Sequence, residues 1–175
     1  FYYLTWSFIF LFGCFVADVF SCRAILNRAK YKVKYNESFA GVGLSIFVKY
    51  IPVTVLIILG RAAYVAERLN YPMDKLSALS LNAQFITLWV GLTLGASYLF
   101  VLGEIYVWQW VILFLWISLT IVIFSSVAHI LLEKIIRFIV RRDIKIPQLD
   151  IISVFKVMPW FMVCWGCWSI AFYFM

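Results

Sequence analysis

Charge is what this 175-residue chain has least of: 13% of its residues are Asp, Glu, Lys or Arg, against 66% apolar and 20% aromatic. A water-soluble domain carries about 25% charged residues, so this chain cannot clothe an ordinary aqueous surface. Histidine is almost missing. His129 is the single one, which excludes a bis-histidine haem held by this chain alone. The eight acidic residues are scattered and make no metal cluster. A glycine-rich phosphate loop, HExxH and G-x-S-x-G are all absent. The expectation is therefore no cofactor, no metal and no enzyme. Cysteine is sparse as well. Cys14 and Cys22 stand far along the chain from Cys164 and Cys167, so no disulfide framework is legible. Cys164-x-x-Cys167 has the spacing of redox and metal sites, but inside an apolar segment with no second pair it reads as small packing residues.

What the chain has instead is hydrophobic length. Leu76 to Leu132 carries one charge, Glu104, near its middle. Each half, 77–103 and 105–132, is long enough to cross a bilayer core of about 30 Å as a helix. Gly103-Glu104 then falls where two such helices turn. Only helices or closed barrels satisfy their own backbone in lipid, so the region reads as a transmembrane helical hairpin.

Three further segments are apolar: 1–20, 39–60 and 151–175. Tyr2, Tyr3 and Trp6 suit an interfacial belt at the start of the first. The second contains Lys49 and, three residues on, Pro52, which removes a helical hydrogen bond. A lysine at the bilayer centre costs roughly 2.5–3.5 kcal/mol, so this segment is either a crossing that pairs Lys49 inside the bundle or a re-entrant turn. The fold class expected is an all-α polytopic transmembrane bundle of about five hydrophobic segments, four or five of them spanning. It is expected to form a single domain over 1–175 and, with apolar sequence at both ends, to be part of a longer chain.

Beyond Leu132 the helix is expected to continue to about 146 as an amphipathic collar. Lys134, Arg137, Arg141 and Lys145 recur at three- and four-residue spacing along its polar side and, with Arg142, are the candidates for anionic lipid headgroups. The net charge of +7 belongs to such membrane borders rather than to nucleic acid. The flanks 61–75 and 133–150 hold eight Lys and Arg, and the loop 21–38 holds five more. All thirteen share a side only if 39–60 turns back. A crossing is favoured nonetheless, because its mostly apolar residues are hard to keep out of lipid.

Within the spans, Asp18, Lys49 and Glu104 are the intramembrane charges that could form an ion path, by default functional candidates. Asp18 is expected either to pair with Lys49 or to reach the interface through Arg23. Gly91 and Gly95 form a small-xxx-small spacing for close helix packing. The functional expectation is a non-catalytic polytopic subunit of a larger membrane complex, structural and lipid-contacting, with other membrane subunits and anionic lipids as partners. The alternative is a channel or transporter element, conducting ions or sensing tension. The basic stretch 105–142 followed by a proline-containing span is similar in pattern to the tension-sensing helices of small-conductance mechanosensitive channels, though that family's glycine/alanine-rich pore helix is missing. A membrane-embedded enzyme ranks third. The chain is an integral membrane protein, with a lean towards a bacterial or organellar inner membrane.

Overall fold

The computed structural model describes residues 2–48, 55–102, 107–125, 130, 134 and 150–175, which are mostly helical, with no strand among them. Among the described residues six helices can be followed: α1 (Tyr2–Arg28), α2 (Tyr35–Val48), α3 (Val55–Leu69), α4 (Met73–Leu102), α5 (Val107–Phe124) and α6 (Ile151–Tyr173). Among the described residues, Tyr2–Arg28, Met73–Leu99 and Ile151–Tyr173 are long and apolar enough to cross a membrane, and Gln109–Phe124 is a shorter apolar helix. A helical membrane bundle is thus present, but with three such helices rather than four or five.

The difference has two sources. Segment 39–60 is not one rod. Helix α2 is described to Val48 and α3 from Val55, and α3 folds back so that Arg61 and Val65 lie beside Gly41. The interval between them contains Lys49 and Pro52. The other source is α5, described only to Phe124. The Gly103-Glu104 turn, His129 and the collar residues Arg137, Arg141, Arg142 and Lys145 lie outside the described residues. Lys134 is helical and exposed.

Side-chain pairings give the helix directions. Along α1 and α6, Ser7 Oγ donates to the Ala171 carbonyl at 3.0 Å, the Cys14 and Cys164 sulfurs lie 2.8 Å apart, and Phe20 stacks on Trp160 at 4.7 Å. The two helices are therefore antiparallel. Their register sets Ala17 opposite Phe161 and Ser21 opposite Val157, all buried. Ser7, Cys14 and Ser21 recur every seventh residue, a seam of small side chains that lets the partner helix come close. In lipid that matters more than apolarity, because tails are as apolar as leucine and helices associate by packing and interhelical hydrogen bonds.

Helix α2 returns antiparallel to α1, with Phe15 against Phe39 and Phe20 against Tyr35. It starts on a half capping box: the Glu37 carboxylate accepts the Lys34 N–H at 2.8 Å. Helix α3 runs back along α2, bringing Arg61 and Val65 beside Gly41. Helices α4 and α5 are clasped by two reciprocal bonds. Trp89 Nε1 donates to Thr120 Oγ1 and Trp116 Nε1 donates to Thr93 Oγ1, each at 2.9 Å. Each threonine donates its own proton to the carbonyl four residues back, which leaves its oxygen free to accept from the facing tryptophan.

One end of the bundle gathers the polar turns. Helices α1 and α3 end alike, with Tyr31 N–H bonding to the Leu26 carbonyl and Tyr71 N–H to the Ala66 carbonyl. The preceding residues, Lys30 and Asn70, adopt φ of 68° and 53°. These are left-handed caps that satisfy otherwise orphaned carbonyls. The two tyrosine rings meet edge to face at 4.9 Å, so the α1–α2 and α3–α4 turns lie together. The start of α6 shares this end, because α6 runs against α1. Lysine carries a Cβ penalty at a left-handed position that glycine lacks. Lys30→Gly is expected to raise stability by about 0.5–1 kcal/mol, read as a higher unfolding midpoint in detergent, while Asn70→Gly changes little.

Candidate functional site

The three helices α1, α2 and α3 converge on one ion pair. Asp18 lies on α1, one turn before the buried Ser21 and Cys22. Arg61 lies on α3, where its Nη2 reaches Asp18 Oδ2 at 2.7 Å and its Nη1 reaches Oδ1 at 3.5 Å. This is the two-pronged geometry that suits guanidinium to carboxylate. Ser21 Oγ donates to the Asp18 carbonyl at 2.8 Å and lies 3.4 Å from Oδ1. From α2, Ser45 Oγ sits 3.5 Å from Arg61 Nη2 while donating to the Val42 carbonyl at 2.6 Å. The Arg61 side chain is 10% exposed and that of Asp18 31%. On its other side Arg61 borders a small depression lined by Cys22, Ile25, Leu79 and Ala83, with room for about one water molecule.

Such an arrangement holds charge rather than moving it. Arginine does not give up its proton in proteins, and both Asp18 oxygens are engaged by Arg61 and Ser21. The attraction is strong in a low-dielectric interior but is offset by the cost of taking both ions out of water. The pair ties α3 to α1 at this one register, Arg61 against Asp18.

Asp18 pairs with Arg61, and Arg23 is not its described partner. Arg23 turns away, its Nε donating to the Val33 carbonyl at 3.1 Å and its guanidinium lying 3.6 Å over the Tyr35 ring. Lys49 and Glu104 lie outside the described residues. No protein-family model, curated protein or solved structure matches the chain.

The site is thus defined by its own geometry, and Arg61 is the residue that sequence reasoning passed over. It was counted with the charged connector 61–75. Yet Ala62, Ala63, Tyr64, Val65 and Ala66 follow it and continue the apolar pattern begun at Val55, and that continuation is the signal of an arginine inside a helix. Among the described residues, no three His, Cys, Asp or Glu side chains are grouped to hold a metal.

The glycine pair divides. Gly91 lies under the indole of Trp165, whose Nε1 donates to the Thr87 carbonyl at 2.9 Å, and a Cβ at position 91 would come within 2.5 Å of that ring. Gly95 has no atom of the described residues within 4 Å of where its Cβ would stand. The small residue at 91 therefore admits a tryptophan ring, and the one at 95 faces outwards.

Proposed function

We propose that the chain is a non-catalytic polytopic membrane subunit in which α1, α4, α5 and α6 cross the bilayer. In this reading α2 and α3 enter from the end that carries the polar turns and return to it as a re-entrant hairpin, moored by Asp18–Arg61. The subunit presents apolar faces to lipid and to neighbouring chains of a larger assembly.

The contrast between the inside and the outside of the bundle carries this reading. The interior charge is neutralised in place, and beside it is space for about one water. Outward, by contrast, Trp110, Phe114, Leu115 and Ile121 of α5 and Phe8 and Phe12 of α1 stand exposed. Further support comes from charge placement. Arg28, Lys30, Lys32, Lys34, Arg68, Lys75 and Lys156 all fall at or near the end with the polar turns, as expected for a cytoplasmic or matrix-like face next to anionic headgroups.

Topology gives a direct test. Lys32→Cys and Lys75→Cys, introduced singly, are expected to react with a membrane-impermeant maleimide from the same side of sealed vesicles, with the unsubstituted chain as control. Labelling from opposite sides would mean that 39–60 crosses, and would sink the hairpin. The assembly role is tested by purification from native membranes. Stoichiometric co-purification with other subunits is expected. A self-contained homo-oligomer that conducts in planar bilayers would instead support a channel element.

A further inference from the structure

Three of the four cysteines, distant in sequence, converge where α1 meets α6. Cys14 Sγ and Cys164 Sγ are 2.8 Å apart, one thiol donating to the other across the interface. Cys167, one turn further on α6, brings its Sγ to 3.4 Å from where a Cβ of Gly13 would stand, so the missing side chain at 13 makes room for the third sulfur beside the first. Cys14 is buried, while Cys164 and Cys167 are partly exposed. Antiparallel pairing anchored at Ser7–Ala171 on one side and Phe20–Trp160 on the other holds the two helices so that Cys14 and Cys164 face each other in register.

We propose that Cys14 and Cys164 are a thiol–disulfide exchange site that joins the first and last described helices covalently when oxidised. The oxidant is a membrane-soluble disulfide, since the thiols lie midway along two apolar helices. Cys164, the more exposed of the two, loses its proton and attacks one sulfur of the reagent disulfide. Its S–S bond breaks, one half leaves as a thiol carrying that proton, and a mixed disulfide forms on Cys164. The Cys14 sulfur then attacks the Cys164 sulfur, releasing the second half as a thiol with the Cys14 proton. Two protein thiols are oxidised by two electrons and one reagent disulfide is reduced to two thiols. The two sulfurs stand 2.8 Å apart, so the second attack is within the reach of the Cys14 side chain. Cys167 lies alongside as a third thiol on the same helix, and Cys22 lies two turns away beside Arg61.

The experiment uses the whole chain, reduced and purified into lipid nanodiscs, with the apolar reagent 2,2′-dithiodipyridine as oxidant. Peptide mapping by mass spectrometry under non-reducing conditions is expected to find a Cys14–Cys164 crosslink, reversed by dithiothreitol, with two pyridinethiones released for each crosslink. Cys167→Ala is expected to keep the crosslink, whereas Cys14→Ser and Cys164→Ser are each expected to abolish it. Recovery of all cysteines as free or singly capped thiols would overturn the proposal. So would a dominant Cys164–Cys167 or intermolecular bond in the unsubstituted chain. Because that chain decides the result, poor folding of a variant does not blunt the test.

Discussion

Arg61→Leu is expected to destabilise the bundle by about 3 kcal/mol, since removing one member of a buried pair leaves the other charge without compensation. The loss falls at the low end of the usual range because Asp18 keeps 31% of its side chain exposed and so retains some hydration. At about 1.4 kcal/mol per factor of ten, the folded population relative to the unfolded would fall by more than a hundredfold. Asp18→Asn is expected to cost less. Arginine has a long stem and five donors, one already near Ser45 Oγ, so it has a nearby acceptor when the carboxylate is gone. The decisive member of the set is the double variant Asp18→Asn/Arg61→Leu, in which no charge is left stranded. It is expected to return to within about 1 kcal/mol of the parent or to exceed it, as neutral replacements of buried ion pairs do. Arg61→Lys falls between, because a point charge cannot make the two-pronged contact. Unfolding midpoints of the purified variants in a detergent–denaturant series measure all four. Additive losses in the double variant would mean that the two residues do not interact. Conduction in planar bilayers by the parent that is lost in a normally folded double variant would support the channel reading.

The same residues mark how far the sequence could be read. Helices α1, α4 and α6 are legible because each needs only a long apolar run, and hydropathy reports the solvent around a helix directly. Segment 39–60 is equally apolar, yet hydropathy says nothing of the path a chain takes through that solvent. Two helices of 14 and 15 residues have nearly the composition of one span. Lys49 and Pro52 argue for two pieces and the thirteen basic residues for a common side, while the bulk of apolar residues argues for a crossing; the described helices show that α3 folds back along α2, with Arg61 and Val65 beside Gly41. Partners were harder still. Asp18 finds Arg61 from 43 residues away and Cys14 finds Cys164 from 150, separations at which periodicity carries no information. The pairing of α1 with α6 was open to inference only from their small residues, the seam Ser7, Cys14, Ala17, Ser21, whose spacing becomes meaningful once a partner register is known. Gly91 and Gly95 make the converse point. One spacing motif yields one glycine in contact and one facing outwards, because the motif describes a helix face without saying what meets it.

That asymmetry makes the glycines a sharp test of how α4 meets α6. A Cβ at position 91 would stand 2.5 Å from Trp165 Cζ2 and 2.6 Å from Cε2, closer than real carbon contacts allow. The indole cannot swing aside cheaply, since its Nε1 donates to the Thr87 carbonyl at 2.9 Å, a group one turn from Gly91 on the same helix. Gly91→Ala is therefore expected to cost about 1–3 kcal/mol through overpacking, and Gly91→Leu at least the upper end of that range, by prising the two helices apart. Gly95→Ala is the control. With no described atom within 4 Å of its Cβ position, it is expected to be neutral or to gain up to about 1 kcal/mol from improved helix propensity. Trp165→Ala alone is expected to cost about 3 kcal/mol by emptying the contact, but in the Gly91→Leu background it frees the space the leucine needs. The two changes together should then cost less than their sum by about 1 kcal/mol or more, a coupling expected only of residues in contact. Equal behaviour of Gly91→Ala and Gly95→Ala, or strict additivity of the pair, would remove Trp165 from the face of α4 and with it the fit between the fourth and last described helices.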